Sequence, residues 1–308
     1  MITDNNRRLA LSSLGWVDHG AIWRFDSTSG GVDHIRVGDA KYLVLRAWGT
    51  DEFAAVHHFD GSRIEITTHS CADPTEVTRR VLVTSWAPTV SADLAPWPPT
   101  PSYFVAWLND DATAAAVYFL ISVRGRQAAI ERLDWFDGNA YDLGYQSVIA
   151  VSPVPGSEEL VFGIQRSSHL VVAAPLSVNA IRRVELSGGH GNAVPHVRLR
   201  ASEIWAVNYD TLVRLDYRSW EVTGTLRLQE APSGTGMFVG DLWMPLDESY
   251  VLVPRPGMGD IVAIDPIRLT PVGTATTGRQ PLVATVLGDR RVVARDWKTG
   301  DLLTGDMA

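Results

Sequence analysis

The chain has 308 residues, 45% of them hydrophobic and 20% charged, a composition that excludes a largely disordered chain. Its net charge is −8 and its arginines and lysines form no basic cluster, which argues against a nucleic-acid partner. The one cysteine, Cys71, excludes an intrachain disulfide framework and leaves a nucleophile or a buried thiol open. The 11 tryptophans and the many valines and threonines favour β-structure.

No stretch of the chain predicts a signal peptide or a membrane span. The apolar run LALSSLGWV near the N-terminus is short and interrupted by serines. No later segment approaches the roughly 20 apolar residues that cross a bilayer. We therefore expect a soluble, cytoplasmic protein with no membrane partner.

Short alternating strands closed by tight turns are predicted in chain order along most of the sequence. Residues 114–145 contain VYFLIS, AAIERLDW and AYDLGY, and residues 159–189 contain ELVFGI, HLVVAA and AIRRVEL. Residues 203–228 contain EIWAVN, TLVRLD and EVTGTLRL, and residues 250–278 repeat the pattern around IVAID. Runs of this kind are typical of antiparallel hairpins.

The spacing of these units predicts a repeat architecture. Their third strands end at Asp134, Ala174, Asp216 and Asp265, with separations of 40, 42 and 49 residues. A four-stranded unit of about 40–45 residues is the period of a β-propeller blade. We expect one all-β propeller domain over residues 1–308, whose N- and C-terminal strands share a blade and close the ring. The chain length favours seven blades, and six blades remain an alternative.

Residues 86–101 interrupt the repeat with several prolines and two tryptophans. Proline removes a ladder donor, so we predict a loop or polyproline-like excursion there. The segment is either a lid over one face or a connector that packs on a blade edge.

Two stretches resemble the blades of YVTN-type bacterial β-propellers. In TGRQPLVATVLGDRRVVARDWKTGDLL, residues 277–303, a Gly-x-x-Pro entry precedes a strand and an Asp-x-x-x-Gly turn closes the next hairpin. GNAVPHVRL places Gly191 and Pro195 in a similar entry. The resemblance implies that an innermost strand begins near Pro195, with His196 near a central channel and His190 on the loop above. Propeller enzymes such as lactonases and streptogramin-type lyases place metal ligands and acid/base groups at that rim.

Blade entries that converge on one rim supply the candidate functional residues. The candidate catalytic residues are His196, Asp241 and Tyr103. The candidate ligand-binding residues are His190, Gln146, Arg279, Gln280 and Trp97. A divalent metal needs three or four converging oxygen or imidazole ligands, and separate blades offer His196, Asp241 and Asp39.

Two classes of function remain open from the sequence. In the first, the propeller is a binding module whose upper rim engages a small ligand or a partner protein. In the second, it is a lyase, hydrolase or isomerase with its active site at the central channel and a possible divalent metal. The glycine-rich stretches 233–241 and 257–260 open no helix after a strand, so they predict no phosphate site.

Overall fold

The structure is a computed structural model, and it describes most of the chain. The residues outside the description are 5, 14–17, 41, 49–50, 60–62, 85–88, 98–101, 110–115, 125–126, 134–147, 165–167, 175–176, 187–196, 201, 209, 229–238, 246 and 289. Between residues 79 and 150 only the backbone is described.

The described residues form 26 short strands. The first eight are β1 (Ile2–Thr3), β2 (Leu9–Ser12), β3 (Ala21–Asp26), β4 (Val32–Arg36), β5 (Tyr42–Ala47), β6 (Glu52–His58), β7 (Arg63–Ser70) and β8 (Val77–Thr84). The next eight are β9 (Thr89–Trp97), β10 (Ser102–Asn109), β11 (Ala116–Arg124), β12 (Gln127–Leu133), β13 (Val148–Pro153), β14 (Leu160–Ile164), β15 (His169–Ala174) and β16 (Ser177–Glu185). The last ten are β17 (Val197–Arg200), β18 (Glu203–Asn208), β19 (Thr211–Asp216), β20 (Val222–Arg227), β21 (Val251–Arg255), β22 (Asp260–Asp265), β23 (Thr270–Thr276), β24 (Pro281–Val286), β25 (Arg291–Asp296) and β26 (Leu302–Asp306).

These strands form seven sheets, and hydrogen-bonded neighbours are consecutive in the chain. Five sheets have four strands: β1–β4, β5–β8, β9–β12, β13–β16 and β17–β20. Two have three strands, β21–β23 and β24–β26. An isolated bridge between Trp243 and Leu252 brings the segment before β21 alongside the first of these. The number of blades and the closure of a ring stay predictions.

The chain divides into two compact units. Unit 1 comprises Met1–Pro88, Trp243–Pro266 and Pro271–Ala308, and unit 2 comprises Thr89–Leu242 with Ile267–Thr270. Unit 1 therefore holds the first two and the last two sheets, and unit 2 holds the middle three.

Apolar side chains fill the spaces between neighbouring sheets of unit 1. Sheets β1–β4 and β5–β8 share the buried residues Leu11, Ile22, Leu43, Leu45, Phe53, Ala55 and Cys71. Sheets β1–β4 and β24–β26 share Ala10, Phe25, Leu287 and Val293. Sheets β21–β23 and β24–β26 share Leu252, Ile261, Ala263, Ala284, Val286, Val292 and Ala294. Stacking covers sheet faces that a single sheet would leave in water.

Unit 2 uses the same kind of core. Sheets β13–β16 and β17–β20 share Val161, Leu170, Val172, Ile204, Ala206, Val213 and Leu215. The outer strand β20 alternates half-buried and exposed residues, whereas five of the six residues of β18 are buried. The alternation predicted from the sequence therefore marks the outer strands, and the inner strands are apolar on both faces.

Several hairpin turns begin with an aspartate and have a positive φ at the fourth residue after it, and three of them share the same hydrogen bonds. They are Asp26–Gly30, Asp216–Trp220 and Asp296–Gly300, with φ of 68°, 61° and 71° at the last residue. The backbone N–H of that residue donates to the carbonyl of the aspartate, at 2.8, 2.7 and 3.0 Å respectively. The carboxylate accepts further backbone N–H groups within the turn. In two of the three turns the last residue is glycine, which gives the Asp-x-x-x-Gly pattern, and in the third Trp220 adopts the same conformation.

The structure corrects the prediction of a loop over residues 86–101. Most of the segment is strand β9, which pairs with β10 so that Pro96 lies opposite Tyr103. Strand β9 is at the edge of its sheet, in the order β12-β11-β10-β9. An edge strand tolerates proline because one side of its backbone needs no ladder partner, so proline content alone misled the prediction.

The predicted sharing of one blade by the two chain ends is not confirmed. Strands β1 and β2 pair with each other, through Ile2 opposite Leu11, and so complete a four-stranded sheet from the N-terminal part alone. Within the described chain, the first and last sheets meet through the side chains of Ala10, Phe25, Leu287 and Val293.

Candidate binding face

Three loops of unit 1 meet at one end of neighbouring sheets: residues 256–259, residues 277–280 and residues 297–301. The carbonyl of Gly259 accepts the backbone N–H groups of the first two residues of the second loop, at 2.9 and 3.1 Å. The carbonyl of Gln280 accepts the backbone N–H of the first residue of the third loop, at 2.7 Å. Main-chain bonds therefore hold the three loops together. We call the surface that they form the loop face.

Glycine is required where the first loop turns. Gly259 has φ +70°, and a Cβ there would lie 3.1 Å from the carbonyl oxygen of Arg279. The first sheet repeats the device at Gly20, with φ +82°, where a Cβ would overlap the carbonyl oxygen of Gly38. The Gly20 carbonyl accepts the N–H groups of Val37 and Gly38, at 3.0 and 3.1 Å. The loop that carries Asp39 is thus built like the loop that carries Arg279.

The loop face exposes two large apolar side chains beside an ion pair. Met258 is 46% exposed and Trp297 is 36% exposed. Arg279 and Asp301 pair directly, and their side chains are 49% and 51% exposed. The hydrogen bond from Arg279 lowers the pKa of Asp301 below its ordinary value. An exposed ion pair and two exposed apolar side chains therefore lie on the same set of loops.

Polar groups below the loop face fix the third loop. The Asp296 carboxylate accepts backbone N–H groups from Gln280 at 3.0 Å and from Lys298 and Thr299 at 2.8 Å each. Partial burial works to raise the pKa of Asp296, but these backbone bonds outweigh it and the pKa is lowered. The Oε1 atom of Gln280 is buried and accepts no hydrogen bond from the described residues.

A buried ion pair joins the first and last sheets. Arg295 Nη2 donates to Asp18 Oδ1 at 2.6 Å, and the side chains are 0% and 2% exposed. Trp23 Nε1 donates to the same oxygen at 3.1 Å, and the guanidinium carbon lies 5.0 Å from the Trp23 ring centroid. Burial lowers the pKa of Arg295, and Asp18 opposes that effect. Asp18 belongs to the turn that ends at Gly20, so the pair anchors one loop of the first sheet.

The structure describes only part of the site predicted from the sequence. His196, His190 and Gln146 lie outside the described residues. Tyr103 and Trp97 stand on the paired strands β10 and β9, where only the backbone is described. Their predicted roles stay predictions.

Four predicted residues are described with their side chains. Arg279 and Gln280 lie together on the loop face, as neighbours on one loop. Asp39 is exposed and pairs with Arg36 at 2.6 Å, with 83% of its side chain accessible. Asp241 is half-buried and lies just before the bridge at Trp243.

A metal centre finds no support in the part of the chain that the structure describes. No group of three or more histidine, cysteine, aspartate or glutamate side chains converges there. Asp39 pairs instead with the guanidinium of Arg36 at the surface. The set of Asp39, Asp241 and His196 stays a prediction, because His196 is not described.

His69 belongs to a buried polar chain rather than to an accessible rim. Its side chain is fully buried, and its Nδ1 lies 2.7 Å from the Pro74 carbonyl oxygen. A carbonyl can only accept, so Nδ1 carries the proton and Nε2, when neutral, accepts from Thr67 Oγ1 at 2.5 Å. Thr67 in turn lies 2.7 Å from His57 Nε2. Strand β7 therefore holds His69 in the interior of its sheet stack.

Cys71 is not an activated nucleophile. It is 3% exposed, and burial together with Asp4, Asp51 and Glu52 raises its pKa to about 12. At neutral pH the thiolate that nucleophilic chemistry needs is not formed.

The exposure of Met258 and Trp297 was missed from the sequence. Hydropathy alone marks both as core residues. A usable signal was their place in tight turns, one residue before Gly259 and one residue after Asp296. Turn positions of this kind lie at the protein surface.

Comparisons with known proteins define the fold. The chain is similar to the β-propeller domain of Myceliophteria thermophila Swd1, with TM-score 0.70, 13% identity, and 100% of this chain and 95% of that chain covered. The chain has the β-propeller fold. It is also similar to the Pseudomonas aeruginosa periplasmic gluconolactonase PpgL, with TM-score 0.64, 14% identity, and coverages of 97% and 95%. A chain in the mitotic checkpoint complex matches with TM-score 0.65, 10% identity, and coverages of 99% and 85%.

No protein-family model and no curated protein matches the chain. The β-propeller neighbours therefore assign the fold and leave the function to the site. Within the described residues there is no helix long and apolar enough to cross a bilayer.

Proposed function

We propose that this β-propeller is a binding module that engages a partner protein through its loop face. The observation that carries the proposal is the exposure of Met258 and Trp297 beside the paired Arg279. Methionine, tryptophan and arginine are the residue types enriched in protein–protein interfaces. A fixed guanidinium flanked by apolar side chains suits a partner with an apolar anchor next to a carboxylate or carbonyl group.

The rigidity of the loop face supports this function. Main-chain bonds from Gly259 and Gln280, and the bonds to the Asp296 carboxylate, hold the three loops in place before a partner arrives. A pre-organised surface loses little conformational entropy on binding, so its contacts contribute more of their energy to affinity. The similarity to a chain of the mitotic checkpoint complex supports the proposal at the level of fold, because that neighbour is part of a protein assembly.

The test is site-specific photo-crosslinking from position 258 in cells of the organism that encodes the chain. Val32 is the matched control, because it is 47% exposed against 46% for Met258 and lies on strand β4. We expect a discrete adduct from position 258, none from position 32, and loss of the adduct in Trp297→Ala. Equal adducts from both positions, or an adduct indifferent to Trp297→Ala, would reject the loop face as the binding surface.

The alternative function is an enzyme whose active site lies at the central channel. The similarity to a gluconolactonase favours it at the level of fold alone. The proposed residues remain His196, Asp241 and Tyr103, with Asp39 as a further metal ligand. A lactone-hydrolysis assay, with and without added divalent metal, on the wild type and on His196→Ala tests this alternative. Turnover that His196→Ala abolishes in a folded protein would favour it, and no turnover would leave the binding module.

A further inference from the structure

The junction between the first and last sheets has a smaller apolar core than the other junctions described above. Its cluster has four buried residues, namely Ala10, Phe25, Leu287 and Val293. The clusters between the other neighbouring sheets contain eight, nine and ten buried residues among the described part of the chain. At the first-to-last junction, polar side chains continue the surface that the apolar cluster begins.

Ser12 and Trp23 lie on the junction face of the first sheet. Side chains two residues apart in a strand share a face, and so do residues that pair directly across two strands. Ser12 pairs with Trp23, and the next pair on the same face is Ala10 with Phe25. Asp18, in the turn that precedes β3, accepts a hydrogen bond from Trp23 Nε1 at 3.1 Å. The first sheet therefore brings a hydroxyl, an indole and a carboxylate to this junction.

Thr285 and Arg295 lie on the facing surface of the last sheet. Thr285 pairs with Val293, and Arg295 stands two residues after Val293 on strand β25, so the three side chains share one face. Contact with the first sheet is direct at Arg295. Its Nη2 donates to Asp18 Oδ1 at 2.6 Å, and its guanidinium carbon lies 5.0 Å from the Trp23 ring centroid. The last sheet therefore adds a second hydroxyl and a guanidinium.

Four polar atoms of this junction are buried without a hydrogen-bond partner among the described residues. They are Ser12 Oγ, Thr285 Oγ1, and the Nε and Nη1 atoms of Arg295. The three residues are 1%, 0% and 0% exposed. A buried donor without an acceptor costs free energy, and the cost is larger for a charged group. Nearly all buried polar groups in proteins have a partner in the protein or in ordered water, so four such atoms in one junction indicate a bound molecule with acceptor atoms.

The charges around the junction favour a neutral molecule over an anion. Asp18 already balances the charge of Arg295 inside the junction. Asp301 also attracts Arg295 electrostatically, and Asp296, the next residue in the chain, is 4% exposed. An added anion would leave an excess of negative charge in an interior that solvates charge poorly. Water is neutral, and it accepts from the guanidinium while it donates to the hydroxyl oxygens.

We propose that the polar part of this junction binds internal water, held by Arg295, Ser12 and Thr285. The water accepts a hydrogen bond from Nε or Nη1 of the guanidinium and exchanges hydrogen bonds with the hydroxyls. It joins the first sheet to the last in addition to the bond between Arg295 and Asp18, and so helps to hold the turn that carries Asp18. The site is buried between two sheets and is separate from the loop face, so the inference does not depend on the proposed function.

The deciding experiment is a crystal structure of the full chain, at a resolution that shows ordered water, from crystals grown with sodium bromide. Bromide scatters anomalously, so it can be told apart from water at the same position. We expect water oxygens within about 3.2 Å of Arg295 Nε or Nη1 and of at least one of the two hydroxyls, with no anomalous peak there. A bromide peak beside Arg295 overturns the proposal in favour of an anion. So does a structure in which no water bonds to these atoms.

Urea denaturation of Thr285→Val tests the site in solution, because valine has nearly the shape of threonine and lacks the hydroxyl. Removing a hydroxyl that bonds to water should lower the urea midpoint, whereas removing one without a partner should raise it. Thr68→Val is the matched control, because Thr68 is 2% exposed and its hydroxyl lies 2.6 Å from that of Thr78. We expect both variants to lower the midpoint. A raised midpoint for Thr285→Val beside a lowered one for Thr68→Val overturns the proposal.

Discussion

The Nη2 atom of Arg295 lies 2.6 Å from the Oδ1 atom of Asp18, although the two residues are 277 positions apart in the chain. Removing one partner of a buried ion pair leaves the other charge uncompensated in a medium that solvates it poorly. We expect Arg295→Met to lower the free energy of unfolding by about 3–5 kcal/mol, measured by urea denaturation.

A double variant measures the interaction between Arg295 and Asp18 apart from the contacts that each makes with other residues. Asp18→Asn removes the charge and keeps an acceptor for Trp23 Nε1. In the Arg295→Met background it should recover at least about 1 kcal/mol, because the buried charge is gone. Strictly additive losses would show that the two residues do not stabilise each other.

The aspartate turns predict a loss of stability in acid. Backbone hydrogen bonds lower the pKa of Asp26 and of Asp216 below the ordinary aspartate value. A carboxylate with a lowered folded-state pKa stabilises the fold above its unfolded pKa, and that stability is lost as the pH falls through the folded pKa. The Tm should therefore fall as the pH is lowered below the ordinary aspartate pKa of about 4. In the variants Asp26→Asn and Asp216→Asn the Tm should fall less steeply as the pH is lowered. An unchanged slope of Tm against pH in the double variant would contradict the assignment of this loss to the two aspartates.

Gly30, the last residue of the first aspartate turn, has a left-handed backbone conformation. We therefore expect a side chain at this position to lower the free energy of unfolding. Gly30 has φ +68° and open space around a built Cβ, so Gly30→Ala tests backbone conformation without a steric clash. We expect a loss of about 1 kcal/mol in the free energy of unfolding. Gly288 also has open space but no positive φ, and Gly288→Ala should be neutral or stabilising by up to about 1 kcal/mol. Equal effects at the two positions would disprove the conformational explanation.

The burial of Cys71 predicts that its thiol resists alkylation. Its pKa of about 12 and its 3% exposure leave almost no accessible thiolate at pH 8. Iodoacetamide should leave the folded chain unmodified over hours and modify it rapidly in urea, as measured by intact mass. Rapid labelling of the folded protein would mean that the sheet around Cys71 opens.

The sequence predicted the fold better than it predicted the site, and the reason lies in which signals are local. The repeat was predicted from the spacing of short strands closed by turns such as the one at Asp216, and such turns are fixed by a few consecutive residues without any tertiary contact. Strand β9 was missed because the value of a proline depends on whether its strand lies at a sheet edge. Whether a strand lies at an edge depends on the arrangement of the whole sheet, so the sequence of the segment alone does not show it.

The candidate site depends on relations between distant residues. Arg279 and Gln280 were predicted as ligand-binding residues because a Gly-x-x-Pro entry marks their loop. The partner of Arg279, Asp301, lies in another loop, and the sequence of neither loop predicts this ion pair. Asp39 was assigned to a metal set, whereas Arg36, three residues earlier, pairs with it. The exposure of Met258 follows from how three loops stack, which a hydropathy pattern does not contain.

The cluster of Ala10, Phe25, Leu287 and Val293 also imposes an order on events during synthesis. The first sheet leaves the ribosome early, yet the apolar side formed by Ala10 and Phe25 stays open to water until β24 and β25 have been made. A chain that stops before Leu287 leaves that side uncovered, and exposed apolar surface of this kind promotes aggregation. The sheet that contains Val293 therefore completes the core of the first sheet, and chains that stop before it expose apolar surface.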